Sequence, residues 1–240
     1  MKEQIKLSIA HRIISSLKMD DMTYTHISHR IDKNHFFLSP FGLLYEEVTP
    51  DNLIKINLDG EISEDNSYKS ANPTGVAVHS SIYKARQNIN SIIHLHTNNS
   101  IAVSVMKFGL LPISQHALHF YEKIAYHKYD SLFLNEKDQM QKIIYDMSDK
   151  NIIILNNHGF ITCGKTIEEA LFYAYHLEKA CIIQVLTLSS CNFIDLIIPD
   201  HETCKKACDD LLSFEKNLGE RDWKAWLNKL KKENINFNID

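Results

Sequence analysis

No run of apolar residues in this 240-residue chain approaches the roughly 20 needed for a bilayer-spanning helix, so insertion into a membrane is not expected. An excess of either charge is also lacking: 26 Lys and Arg stand against 30 Asp and Glu, a net charge of −4. That balance provides no electrostatic footprint for nucleic acid or an anionic membrane surface, and neither is expected as a partner. The five cysteines, Cys163, Cys181, Cys191, Cys204 and Cys208, are odd in number and include no Cys-x-x-Cys pair. Free thiols in a reducing compartment follow, with the cytoplasm as the expected location. The opening MKEQIKLSIAHRIISSLK interleaves charged and apolar residues and has neither the continuous apolar stretch nor the cleavage site of a secretory leader. Glycine-rich phosphate loops of the GxxxxGK or GxGxxG kind are missing, which disfavours nucleotide enzymes. There is no repeat, low-complexity tract or Pro/Gly/Ser-rich linker to divide the chain.

What is present is alternating helix and strand patterning. Ile5, Ile9, Ile13 and Leu17 recur every four residues and predict an amphipathic helix. His35–Leu38 and Leu53–Ile56 read as short strands, with a turn at Pro40 and Gly42 between them and another at Asp59-Gly60. A helix is predicted from near Thr74, carrying His79, Ile82, Tyr83 and Arg86. The apolar run ending at His96 predicts a strand, followed by small-residue helix around Ile101–Phe108. A helix around Glu136–Met147 leads to a strand ending at His158. Thr166 with Glu169 three residues on is a capping box, opening a long helix striped by Ala170, Ala174, Leu177, Cys181 and Val185. The remainder shows only helical periodicity, and Trp223, Trp226, Leu227 and Leu230 predict a helix after a break at Gly219. These elements describe an α/β domain over residues 1–198 and a helical C-terminal extension over 199–240.

Histidines mark the candidate site. His94 and His96 close the run Ile92-Ile93-His94-Leu95-His96, and alternation along a strand puts both imidazoles on one side. His158 ends a second apolar run, just before Gly159. Three imidazoles with an open position are how a catalytic zinc or similar divalent ion is held. Other histidines carry weaker expectations. His79, on a helix, fits a hydrogen-bonding role better than a ligand role, and His26, His29 and His35 read as surface or loop residues. His201, Cys204 and Cys208 have spacing open to a soft metal, but the same spacing is an ordinary buried helix stripe. The Trp pair reads as a packing anchor or a subunit contact.

Four stretches together resemble the class II aldolase/adducin family: PFGLLYEEVTPDNLIKINLDG (Pro40–Gly60), HSSIYKARQNINSIIHLHT (His79–Thr97), GLLPIS (Gly109–Ser114) and NNHGFITCGKTIEEA (Asn156–Ala170). The resemblance runs from about Met1 to Ser190, and Thr25–Arg30 and Phe41–Glu47 are most similar to the adducin-like branch. It implies a three-layer α/β/α fold with a mostly antiparallel central sheet, commonly assembled as a four-fold tetramer. It places His94, His96 and His158 on the zinc-ligand positions, in agreement with the reading of the residues themselves. The family's proton-transferring glutamate falls on Gly75, and its phosphate-binding Gly-Asn and Ser-Ser fall on Thr25-His26 and Pro73-Thr74. Ordinary sugar-phosphate chemistry is therefore not expected.

Two functions follow from the resemblance. One is a metal-dependent lyase or decarboxylase acting on a small hydroxy-carbonyl compound without phosphate, with His26, His29, Ser114 and Gln115 as polar contacts to substrate. A base from a neighbouring chain, such as His201 or Glu202, would serve it. The other is a non-catalytic, adducin-like oligomerisation or actin-binding module. For that second function the lack of a lysine-rich stretch before Asp240 makes actin binding the weaker expectation.

Overall fold

The computed structural model describes residues 1–63, 70–131 and 137–233. Seven strands form one sheet: β1 (His26–Arg30), β2 (His35–Leu38), β3 (Ile54–Asn57), β4 (Ser91–Leu95), β5 (Ile124–His127), β6 (Ile152–Leu155) and β7 (Gly159–Gly164). Their order across the sheet is β3-β2-β1-β4-β7-β6-β5. Every neighbouring pair is antiparallel except β5 with β6, so the expected mostly antiparallel sheet is found, mixed at one edge.

Eight α-helices accompany it among the described residues: α1 (Glu3–Ser16), α2 (Pro73–Ala85), α3 (Asn98–Ser104), α4 (Gln115–Leu118), α5 (Lys137–Met147), α6 (Ile167–Ser190), α7 (His201–Phe214) and α8 (Glu220–Lys232). Alternation along the strands explains the layers. Ile93 and Leu95 of β4 join Leu7 and Ile13 of α1 and Ala174 and Leu177 of α6 in one core. Ile92 faces the opposite way, with Val78 and Ile82 of α2 and Ile143 of α5 in a second core. Each sheet face is thus closed by helices, giving the expected α/β/α sandwich.

Local signals place the helix starts. Asn72 accepts from the Thr74 amide at 3.1 Å and Pro73 takes the first helical position, where a missing N–H costs nothing. Thr166 caps α6 by accepting from the Glu169 amide at 3.2 Å. The reciprocal half of the capping box goes one residue astray, because the Glu169 carboxylate accepts from the Lys165 amide at 2.7 Å. The helix expected at Ile101–Phe108 begins earlier, at Asn98, immediately after the strand that carries His94. The helix expected from Glu136 is described from Lys137.

The extension does not hang free. Trp223 and Leu230 of α8 are buried in the same core as α6, with Trp226 and Leu227 packed against it, so the tryptophans anchor α8 to the sandwich. Residues 234–240 of the expected extension lie outside the described ones. No described helix is long and apolar enough to cross a membrane.

Candidate metal centre

At the centre of the sheet, β4 and the β6–β7 hairpin bring the three predicted histidines together. Leu155 pairs with Gly159, which leaves Asn156, Asn157 and His158 as a three-residue loop. Asn157 adopts φ +60°, the left-handed conformation such loops require and asparagine tolerates. The loop aims His158 at the end of β4. Gly159 permits this closeness: a Cβ there would fall 2.3 Å from the Leu95 carbonyl oxygen.

The three Nε2 atoms converge. His96 Nε2 lies 2.8 Å from His94 Nε2 and 2.9 Å from His158 Nε2. The outer nitrogens decide what those atoms carry. His94 Nδ1 meets the Phe160 carbonyl at 2.9 Å, and a carbonyl only accepts, so Nδ1 holds the proton. His96 Nδ1 meets an Asp21 carboxylate oxygen at 3.2 Å, which assigns its proton in the same way. The Nε2 atoms of His94 and His96 therefore face each other as lone pairs at 2.8 Å. Two acceptors that close repel unless a cation lies among them. Burial, with the neighbouring histidines, holds the protonated form of His94 far below its ordinary range. Burial lowers His96 against the opposing pull of Asp21, and burial followed by His96 takes His158 down to about 4. At neutral pH the trio is uncharged and of the right donor type for a borderline divalent metal, so the residues fit the ion that the histidine pattern implies.

Beside the trio lies an arrangement the sequence reading did not foresee. His26 and His29 are buried on β1 and do not belong to the surface or a loop. A short strand polar on both faces looks exposed in sequence, but here helices cover both sides. His29 faces α1, with Nε2 2.6 Å from Glu3 Oε2. His26 pairs in register with His94, their rings 4.8 Å apart. His26 Nδ1 lies 2.8 Å from His79 Nε2, and His79 Nδ1 contacts the Ser28 hydroxyl, which lies 2.8 Å from Tyr83 Oη. The chain His26–His79–Ser28–Tyr83 is buried throughout. His79 is thus the hydrogen-bonding residue expected, supporting His26 from behind. His35, paired with Asp32 at 3.0 Å, is half-exposed.

Gly75 stands in the first turn of α2, facing this chain. A Cβ there would lie 2.9 Å from His26 Cδ2, 3.0 Å from Cγ and 3.2 Å from Nε2. The His26 ring occupies the space into which a side chain at position 75 would grow. Ser114 and Gln115 are less informative. Ser114 accepts from the Ala117 amide at 3.2 Å and caps α4, while Gln115 is exposed at the start of that helix. Cys204 and Cys208 are buried on α7 while His201 is exposed and meets Tyr121 Oη at 2.9 Å, which is the ordinary helix stripe.

Comparison with known proteins agrees with this architecture. The family described as Class II Aldolase and Adducin N-terminal domain matches residues 6–185. A Caulobacter vibrioides protein named after the class 2 aldolases is 32% identical over 238 residues, covering 98% of this chain and 91% of its own length. Alpha-adducin of Rattus norvegicus is 40% identical over 198 residues, 80% of this chain, but the match spans only 26% of the adducin. Among solved structures, an aldolase II superfamily protein from Pseudomonas syringae has a TM-score of 0.88 at 35% identity, covering 96% of this chain and 92% of that one. L-fuculose 1-phosphate aldolase from Glaciozyma antarctica gives 0.77 at 28% identity, covering 87% and 80%. The chain belongs to the class II aldolase/adducin family.

Proposed function

We propose that this chain is a metal-dependent enzyme of the aldolase type, acting on a small hydroxy-carbonyl compound that carries no phosphate. The observation that carries the reading is the facing pair of Nε2 lone pairs on His94 and His96, each fixed by an outer hydrogen bond and joined by His158. A scaffold needs no such convergence, since lone pairs held together without a cation are a cost. When bound, a zinc or similar divalent ion supplies Lewis-acid polarisation of substrate oxygens.

The chain's own residues do the rest. Asp21 and the Phe160 carbonyl orient His96 and His94. His26, held by His79, shapes the wall beside them. Gly75 offers no carboxylate, so the proton passes to water or to a side chain other than residue 75. Thr25-His26 and Pro73-Thr74 supply no phosphate cradle of the aldolase kind, which favours an unphosphorylated substrate. Cleavage of a carbon–carbon bond and decarboxylation are the reactions this arrangement suits. We further place the protein in the cytoplasm, as a homotetramer like others of its family.

The alternative is an adducin-like assembly module, favoured by Gly75 and by the 40% identity with alpha-adducin. Metal content of protein purified without added metal separates the two. A divalent-ion content that falls by about one per chain in His94→Ala/His96→Ala supports the enzyme. An intact oligomer with no metal in the wild type would leave the assembly module.

A further inference from the structure

A second group of three histidines lies on the helical layer and shares no residue with the first. His116 and His119 are three apart across α4 and its C-terminal cap, and His176 comes from the middle of α6. Residues three apart sit on one helix face, so both rings meet the neighbouring helix together. One nitrogen from each of the three lies within 4.8 Å of the others. His116 Nδ1 and His176 Nδ1 are 3.1 Å apart, and the His119 and His176 ring centres 5.0 Å apart.

His119 is the informative member. The residue is only 8% exposed, yet its Nδ1 has no hydrogen-bond partner. Buried polar atoms left unpaired in folded proteins are rare and call for an explanation such as an ion. An aromatic wall backs the group, with Phe172 4.2 Å from the His176 ring and edge-on to His119 at 5.6 Å. Over His116 and His176 opens a cavity of about 530 Å³, walled by Trp223, Trp226, Arg221 and Lys229.

We propose that His116, His119 and His176 form a second metal site, for a late first-row divalent ion such as Zn²⁺, Ni²⁺ or Cu²⁺, with its remaining coordination position open to this cavity.

The donor set selects the ion. Three neutral imidazoles without a carboxylate suit zinc, nickel and copper and are poor ligands for calcium or magnesium. Burial, then His119, His116 and Arg221, takes the His176 conjugate acid down to about 3, and burial also lowers His116 and His119. The three rings are therefore neutral at neutral pH, each with one unprotonated nitrogen.

The test is zinc stoichiometry of the full chain after chelator stripping and equilibrium dialysis against Zn²⁺. The wild type is expected to hold two ions per chain. His94→Ala/His96→Ala and His116→Ala/His176→Ala each keep one, and the fourfold variant keeps none. One ion lost only with His116 and His176 would still support this site while overturning the β4 reading. Zinc content of His116→Ala/His176→Ala equal to wild type overturns the proposal. So does a folded His94→Ala/His96→Ala protein that binds none. Should the alanine variant fail to fold, histidine imidazole NMR of the wild type decides: Zn²⁺ must shift the His116, His119 and His176 resonances, and unmoved resonances refute the site.

Discussion

Adding a single methyl group at Gly75 tests the claim that His26 fills the place of a residue-75 side chain. The Cβ would lie 2.9–3.2 Å from three atoms of the His26 ring, where non-bonded carbons rest at about 3.5–4.0 Å. The ring has little room to retreat. Its Nδ1 is held at 2.8 Å by His79, His79 is held by Ser28, and the tilted His94 ring has its centre 4.8 Å away. Overpacking of this kind costs about 1–3 kcal/mol. Against it stands a helix-propensity gain of at most about 1 kcal/mol for replacing glycine by alanine in α2. After the full propensity gain, Gly75→Ala is therefore expected to lose about 0–2 kcal/mol in the wild-type background. In a His26→Ala background the clash vanishes and the same change becomes neutral or stabilising. The double-mutant cycle should show a coupling of about 1–3 kcal/mol. Urea unfolding of chelator-treated protein measures it, provided the denaturant slope is the same in all four variants. Equal effects of Gly75→Ala in the two backgrounds, within about 0.5 kcal/mol, would refute the steric argument. By the same reasoning Gly75→Glu alone will not restore aldolase chemistry, because the carboxylate has no path past the ring.

Gly159→Ala is expected to damage the β4–β7 junction and to weaken zinc binding, since its Cβ would sit 2.3 Å from the Leu95 carbonyl oxygen; unchanged zinc affinity by dialysis would count against the close approach. Glu178→Ala removes the acceptor of the Asn99 amide at 2.9 Å and of the Thr97 hydroxyl just after His96; a loss of about 1.5–3 kcal/mol in urea unfolding is expected, and less than about 0.5 would show the contacts to be idle. Metal-free stability should depend on acid. Burial pushes His11 down to about 4 and His79 to about 3 in the folded chain, whereas an unfolded histidine protonates near 6.5. The unfolded chain takes up protons first, so this stability is complete above pH of about 6.5 and drains away as pH falls towards about 4 and then about 3. A urea midpoint that stays constant between pH 7 and 4.5 would contradict it, and His11→Gln should flatten the slope.

The convergence of His94, His96 and His158 was legible because each member announces itself locally. His94 and His96 close an apolar strand with the spacing that sets them on one side, and His158 precedes a glycine at the end of another. The His26–His79 chain was not legible. It depends on the register His26↔His94, which joins segments far apart in sequence, and on α2 lying across that register. Without the covering helices a strand reading His-Ile-Ser-His-Arg looks solvated. Three strands escaped for related reasons. β1 is polar, β5 reads Ile-Ala-Tyr-His with no run of branched apolar residues, and β7 follows His158 so closely that a single apolar run and its turn conceal two strands. The His116/His119 spacing was visible, but its partner His176 lies on a helix whose apolar stripe draws attention elsewhere.

The three β-borne histidines and position 75 belong to different parts of the chain. The histidines ride on one strand and one hairpin at the middle of the sheet, which are joined through β4 and β7. Position 75 rides on the start of α2, a separate element with its own cap at Asn72. The two can therefore be inherited independently: mutation at the helix start can change what stands beside the trio while the histidines themselves pass on intact. A lineage built this way can retire one chemistry without dismantling its most demanding component, and can later recruit another around it.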